Sequence, residues 1–282
     1  MSNHPNKDII FDLETFPNIF TMCAVFANGA GLRVFEISDR KNQIEDMLEF
    51  LRNVKRNGYT MVGFNNLGFD YPILHYILSE SRVAIAEGKE LKMTSEKIYR
   101  EVERMMSAQK KDDRFGNRIK DTDVILPQRD LYLIWHMDNR ARSTSLKMLE
   151  FNMRSRNIED LPFPVGSVLD DAQKDILIAY NKHDVLETLK FYKYSEEAIK
   201  LREDLSEIFG FDCTNFNDGK IGKQLFINSI EKEKPGSCYL HTERGRKILQ
   251  TKRSKIHIKD CIVPYVKFNR PEFQALFTWF QK

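Results

Sequence analysis

Residues 8–14 read DIIFDLE, an apolar run that ends on two carboxylates one residue apart. A strand this apolar belongs in a core, and an ionised carboxylate is costly to bury unless something compensates its charge. Side chains alternate across a strand, so Asp12 and Glu14 share one face while Phe11 and Leu13 take the other. No other stretch constrains the fold as tightly. It asks for a buried sheet whose edge aims two acids at one spot, either as accidental surface decoration or to hold a cation.

The runs that follow set the fold class. NIFTMCAVFANG and GLRVFEIS are two further β-rich segments separated by the turn-like NGAG, so the first three strands are expected as an antiparallel meander. Ser38 or Asp39 is expected to cap a helix carrying Ile44, Met47, Leu48, Leu51 and Val54 at helical spacing, ended by Gly58. YTMVGFN then reads as a strand and DYPILHYILSE as a helix. A meander continued through crossover helices predicts an α/β chain with a mixed sheet. DTDVIL is expected to re-enter the sheet, STSLKMLEF to form a short capped helix, and Asp171–Lys200 one long helix.

Between about residues 84 and 120 Lys and Arg are dense, mixed with Glu, and apolar periodicity is thin. This reads as a charged helical excursion with a solvated face, ending in a loop at Phe115–Asn117, and as a candidate flap over substrate. Residues 201–282 differ in texture and read as an appendage, with a basic stretch RGRKILQTKRSK suited to phosphate contact. The four cysteines are dispersed with no CxxC pair, which excludes a zinc ribbon or disulfide scaffold and fits a reducing, cytoplasmic setting. No signal peptide or apolar span is evident, so no membrane role is expected. A formal charge of +3 does not by itself imply a polyanionic partner.

Three motifs carry chemistry. Asp12-x-Glu14 lies on the opening strand, and Asn66-Leu-Gly-Phe69-Asp70 lies where a strand passes into a helix, at the sheet edge where functional groups of α/β folds gather. Tyr180-Asn-Lys-His-Asp184 lies in the long helix, with Tyr180 and Asp184 on one face. Four acids in one place cannot all be ionised without cations. An all-oxygen set suits hard ions such as Mg²⁺ or Mn²⁺. Two such ions about 3.5–4 Å apart form the usual clamp for phosphodiester displacement. Tyr180, with the ordinary pKa of a phenol, suits orienting water by hydrogen bond better than acting as base.

In these residues the chain resembles the DEDD-type 3′–5′ exonucleases of RNase-H-like fold, in the subclass with a tyrosine in the third motif. Asp12 and Glu14 match the first motif, Asp70 the second, Tyr180 and Asp184 the third. The histidine of the other subclass would fall at Ala179; His183 is read as a packing neighbour. The resemblance covers roughly residues 8–200 and is strongest to the proofreading domains of family B DNA polymerases, those of phages above all. It implies an exonuclease domain over 1–200 with two Mg²⁺ (or Mn²⁺) held by Asp12, Glu14, Asp70 and Asp184. Hydrolysis of the 3′ end of single-stranded or frayed DNA would release nucleoside monophosphates.

The resemblance further implies single-strand contacts from Asn66 and Phe69, and from Ser145 and Leu146, which with Leu149 fit a primer-end motif. Lys147 beside them is a candidate phosphate contact, and LPFPV at 161–165 is also similar to that group. Phe64, Phe69 and Tyr71 could offer stacking faces, with at least one expected in the core. The acidic motifs of a polymerase palm are missing, and VPYVKFNRPEFQALFTWFQK resembles a linker toward one. A polymerase domain or subunit is therefore the expected partner. The alternatives are a stand-alone DNA or RNA exonuclease and a catalytically silent nucleic-acid-binding module.

Overall fold

The computed structural model describes residues 7–109, 118–139, 141–242, 245–249 and 254–281. The expected Phe115–Asn117 loop lies outside the described residues, as does part of the basic stretch at 244–255. Strands β1 (Asp8–Phe16), β2 (Ile19–Phe26) and β3 (Arg33–Ser38) form the antiparallel meander. Helix α1 (Ile44–Arg56) crosses to β4 (Thr60–Gly63), and α2 (Asp70–Ala86) and α3 (Ser95–Gln109) precede β5 (Gln128–Asp130). The sheet order is β3-β2-β1-β4-β5, with β4 parallel to β1 and β5 parallel to β4. Helices α4 (Leu131–Ile134), α5 (Leu146–Asn152), α6 (Asp171–Tyr194) and α7 (Glu196–Phe209) follow. This is the mixed α/β sheet with flanking helices that the strand and helix spacing predicts.

Helices cover both faces, which is why β1 and β2 read as nearly continuous apolar runs. On one face, Ile9, Phe11 and Leu13 pack with Met47, Leu51, Ile73 and Ile77 of α1 and α2. On the other, Ile10, Cys23 and Val62 pack with Leu149, Val185, Leu189 and Ile199 of α5, α6 and α7. By alternation Asp8, Asp12, Glu14 and Phe16 share this second face with Ile10.

Four local expectations differ from what forms. The charged 84–120 segment is not simply a solvated excursion. Met93 and, in α3, Ile98, Val102 and Met105 are buried in the first core layer. The spacing of the three helical residues is an amphipathic stripe too short to stand out among the surrounding charges. DTDVIL does not pair: Asp121–Asp123 form a 3₁₀ turn, and the N–H groups of Ile125 and Leu126 donate to the Tyr71 hydroxyl at 2.7 and 3.3 Å. The sheet is re-entered only at Gln128. The helix expected over 171–200 breaks at Ser195, whose hydroxyl donates to the Phe191 carbonyl at 2.8 Å and accepts from the Trp135 indole at 2.9 Å. Ser38 and Asp39 do not cap α1. Asn42 Oδ1 accepts the Ile44 N–H there, at 3.1 Å, and Asp39 instead pairs with Lys174 of α6.

The edge strand β5 is tied down by polar groups. Arg129 pairs with buried Asp8 of β1 and with Glu203 of α7, and the Tyr192 hydroxyl donates to the same Asp8 carboxylate at 2.7 Å. Breaking a buried pair leaves an unpaired charge, so Arg129→Met should cost about 3 kcal/mol, read by urea denaturation. Asp8→Asn in the same background should recover part of it; a loss below ~1 kcal/mol would show the pair to be dispensable.

Asn215 covers the open edge of β5, accepting the Asp130 N–H at 2.7 Å and donating to the Gln128 carbonyl at 2.9 Å, as a neighbouring strand would. Arg202 of α7, only 2% exposed, holds that segment through the carbonyls of Phe216 and Ile134. These contacts bring residues up to Ile221 into the first compact unit. The second, Gly222–Lys282, holds most of helix α8 (Asp218–Glu233), a hairpin of β6 (Tyr239–Thr242) and β7 (Gly245–Ile248), and α9 (Pro271–Phe280). Among the described residues no helix is long and apolar enough to cross a membrane.

Candidate metal centre

The site is built where β1 and β4 run side by side in parallel. Beyond Gly63 the chain turns through 64–69 into α2, and buried Asp130 shapes that turn. Its carboxylate accepts the N–H groups of Asn65 at 2.9 Å and Leu67 at 3.1 Å, and it caps α4 through Tyr132 N–H. Asn65 takes φ 62°, a left-handed conformation that asparagine tolerates better than most residues. A Cβ on Gly63 would lie 2.7 Å from the Asn66 Cβ, so only glycine lets the turn close this tightly. The turn delivers Asp70 to the first turn of α2, where its Oδ1 accepts the Leu13 N–H at 3.2 Å.

Asp12 and Glu14 meet Asp184 of α6: one carboxylate oxygen from each lies within 4.8 Å of the others. Asp70 is outside that trio but adjoins it and acts on both β1 acids through its charge. Crowding and burial oppose ionisation throughout. Burial, then Asp184 and Asp70, push Glu14 up to about 8. Burial, then Asp70, Glu14 and Asp184, push Asp12 well above the carboxylate range, against a hydrogen bond from Asn181.

Asp70 rises to about 7 through burial, against two backbone N–H donors. Asp184 also rises to about 7 through burial, held back by a hydrogen bond with Tyr180, while Glu150 pushes it up and His183 and Lys147 pull it down. Tyr180 is pushed above its ordinary value, first by burial and then by Asp184 and Glu14, so its phenol keeps its proton and donates.

Four carboxylates that burial, and for Asp12 and Glu14 also their acidic neighbours, push toward holding protons fit a divalent cation, which would compensate their charge, and an all-oxygen donor set favours a hard one. Glu150, His183 and Asp184 form a second trio within 4.8 Å. There Glu150 is already paired with His183 at 3.2 Å, and Lys147 brings a positive charge to Asp184. Asp12, Glu14 and Asp184 form the all-carboxylate trio of the two, with no imidazole paired inside it.

The remaining residues singled out from sequence are engaged in contacts of their own. Asn66 is fully buried, its amide donating to Gln128 Oε1 at 2.9 Å and its Oδ1 left without a partner. Phe69 is half-buried against the first core layer. Tyr71 is core, and Phe64 stands edge-on to Tyr132 and Phe191. Ser145 caps α5 by accepting the Met148 N–H at 3.3 Å, Leu146 is half-buried, and Lys147 pairs with Asp160.

Sequence reasoning missed Asn181, Thr21, Asp130 and Glu150. Two of them left a signal. Thr21 is the one hydroxyl in the apolar run IFTMCAVF, and Asn181 lies three residues before Asp184, on its helical face.

Neither a scan of protein-family models nor a search of curated proteins returns a match to this sequence. Among solved structures the chain is similar to the family B DNA polymerase from the hyperthermophilic archaeon Pyrobaculum calidifontis, with 20% identity and a TM-score of 0.50. The match covers 80% of this chain and 29% of the polymerase, so the chain spans less than a third of that protein's length. At this identity the likeness is one of fold, and it agrees with the RNase-H-like architecture expected from the motifs.

Proposed function

We propose that this chain is a divalent-metal-dependent 3′–5′ exonuclease that trims single-stranded or frayed DNA ends, in the manner of a polymerase-associated proofreading domain. The observation that carries the reading is the convergence of Asp12, Glu14 and Asp184 from β1 and α6, with Asp70 alongside. The archaeal neighbour supports it at the level of fold.

In this reading Asp12, Glu14 and Asp184 would hold one ion, and Asp70 with Asp12 would contribute to a second. When bound, Mg²⁺ or Mn²⁺ supplies the Lewis acidity and the activated water that phosphodiester hydrolysis needs. The chain's own groups orient the reactants. Tyr180, protonated at neutral pH, donates its one O–H to Asp184, and its oxygen would accept from the attacking water and so position it. Asp70 is steadied by the Leu13 N–H, which ties the first turn of α2 to the β1 backbone. Phe69, Ser145, Leu146 and Lys147 would line the path of the unpaired strand. Asn66 would act by shaping the turn before Asp70, because its side chain is turned inward. An unpaired terminus reaches such a site at lower unstacking cost than a paired one, which gives selectivity for mismatched ends.

The test is incubation with 5′-labelled single-stranded DNA in Mg²⁺ or EDTA. The expected result is a ladder of shortening products in Mg²⁺ alone, formed faster from a mispaired than a paired primer end. Folded protein that binds the DNA but yields no ladder with Mg²⁺ or Mn²⁺ would instead identify a silent binding module. RNA shortened as readily as DNA would favour a turnover nuclease.

A further inference from the structure

We infer that Thr21 and Asn181 are a positioning pair for Asp12, holding its carboxylate in the one orientation that can share a small divalent ion with Glu14 and Asp184. The inference rests on the metal-centre reading above.

In the β1–β2 ladder Thr21 lies opposite Glu14, and Cys23 lies opposite Asp12. Directly opposed residues of an antiparallel pair present their side chains to the same face. The hydroxyl and the thiol therefore line the side of the sheet that carries the acids, and neither residue is exposed. Asn181, also 0% exposed, reaches this floor from α6, three residues before Asp184. Its Nδ2 donates to Asp12 Oδ2 at 2.7 Å, and its Oδ1 accepts from Thr21 Oγ1 at 3.3 Å.

With a cation bound the Asp12 carboxylate is ionised and can only accept, so the amide must turn its nitrogen toward it, and the amide oxygen then needs a donor. Thr21 is that donor. The chain Thr21 to Asn181 to Asp12 engages Oδ2 and leaves Oδ1 to the cation. A neutral amide is the residue type this requires. A lysine here would compete with the ion, and a carboxylate would add to the repulsion already acting on Asp12.

The consequence is ion selectivity. Mg²⁺ demands near-ideal octahedral geometry at short distances, whereas Ca²⁺ accepts irregular, longer coordination. Loosening Asp12 should therefore weaken Mg²⁺ binding more than Ca²⁺ binding. A purely structural role for Thr21 or Asn181 would weaken both alike.

The experiment compares the full chain with Thr21→Val, Thr21→Ser and Asn181→Leu. Unfolding in EDTA confirms the fold of each, and calorimetric titration with MgCl₂ and with CaCl₂ gives the two affinities. Thr21→Val and Asn181→Leu are expected to weaken Mg²⁺ by about 10–100-fold, the usual effect of removing an outer-shell partner. Ca²⁺ should change several-fold less, and Thr21→Ser should stay near wild type. Equal loss for both ions, or no loss in Thr21→Val while the wild type binds Mg²⁺, would overturn the pair and leave the metal centre standing. A wild-type chain that binds neither ion would overturn the metal centre itself, and this inference with it. Should Asn181→Leu fail to fold, the Thr21→Val and Thr21→Ser comparison decides alone.

Discussion

Asp184→Asn should abolish DNA trimming while making the metal-free protein more stable. Asp184 belongs to the trio that converges from β1 and α6, and it receives the Tyr180 hydrogen bond. Losing a ligand that supports several kcal/mol of transition-state charge stabilisation costs about 10³-fold in rate or more. The same change removes one of four crowded acids, so repulsion on Asp12 and Glu14 falls. The metal-free melting temperature at pH 8 should therefore rise by a few degrees, against the usual direction for a buried substitution. Tyr180→Phe, which only loosens the water and Asp184, should cost roughly 10–100-fold. Initial rates on labelled single-stranded DNA and thermal unfolding in EDTA read both halves. Residual activity of Asp184→Asn above about a tenth of wild type would remove it from the site.

The second large effect is a coupling between pH, cation and stability. Glu14 is raised to about 8, Asp70 and Asp184 to about 7, and Asp12 also moves up. Each folded-state value lies above its unfolded value, so near neutral pH the folded protein binds more protons than the unfolded chain. Stability from these groups is fully present below the unfolded values, near 4, and is lost as pH rises through 7–8. In EDTA, then, melting temperature should fall from pH 6 to pH 8.

A divalent cation binds the deprotonated cluster, so its stabilising effect should grow over the same range. At about 100 times its dissociation constant an ion contributes about 2.7 kcal/mol. At roughly 2–4 °C per kcal/mol that is a gain of about 5–10 °C at pH 8 and markedly less at pH 6. Glu14→Gln should flatten both the fall in EDTA and the cation response. A metal-free melting temperature that holds or rises between pH 6 and 8 would contradict the crowded-acid description.

Much of this architecture is legible from pattern. The apolar runs at 8–16 and 19–26 give β1 and β2, and Ile44 to Val54 at helical spacing give α1, because burial on one face imposes a period. The third helix is harder. Ile98, Val102 and Met105 carry the period, but Arg and Glu at nearly every other position mask it. The expectation of a strand at DTDVIL fails for a different reason. Its apolar pair, Ile125 and Leu126, is buried in the core, while a distant hydroxyl, Tyr71, catches the backbone donors a strand partner would have taken. The break at Ser195 turns on the contact with Trp135, sixty residues away in sequence, that no local signal encodes.

By itself the sequence determined which residue types are present and which face each occupies. Asp12 and Glu14 share a side because strands alternate, and Tyr180 shares one with Asp184 because helices repeat. Those relations are local, set by backbone geometry within a single element. The tertiary structure alone decided that α6 would bring Asp184 to within 4.8 Å of the β1 acids and that Asn66 would turn inward. It also set Asn181 between Thr21 and Asp12. Those distances depend on how helices settle on a sheet, and that is fixed by the packing of side chains far apart in the chain.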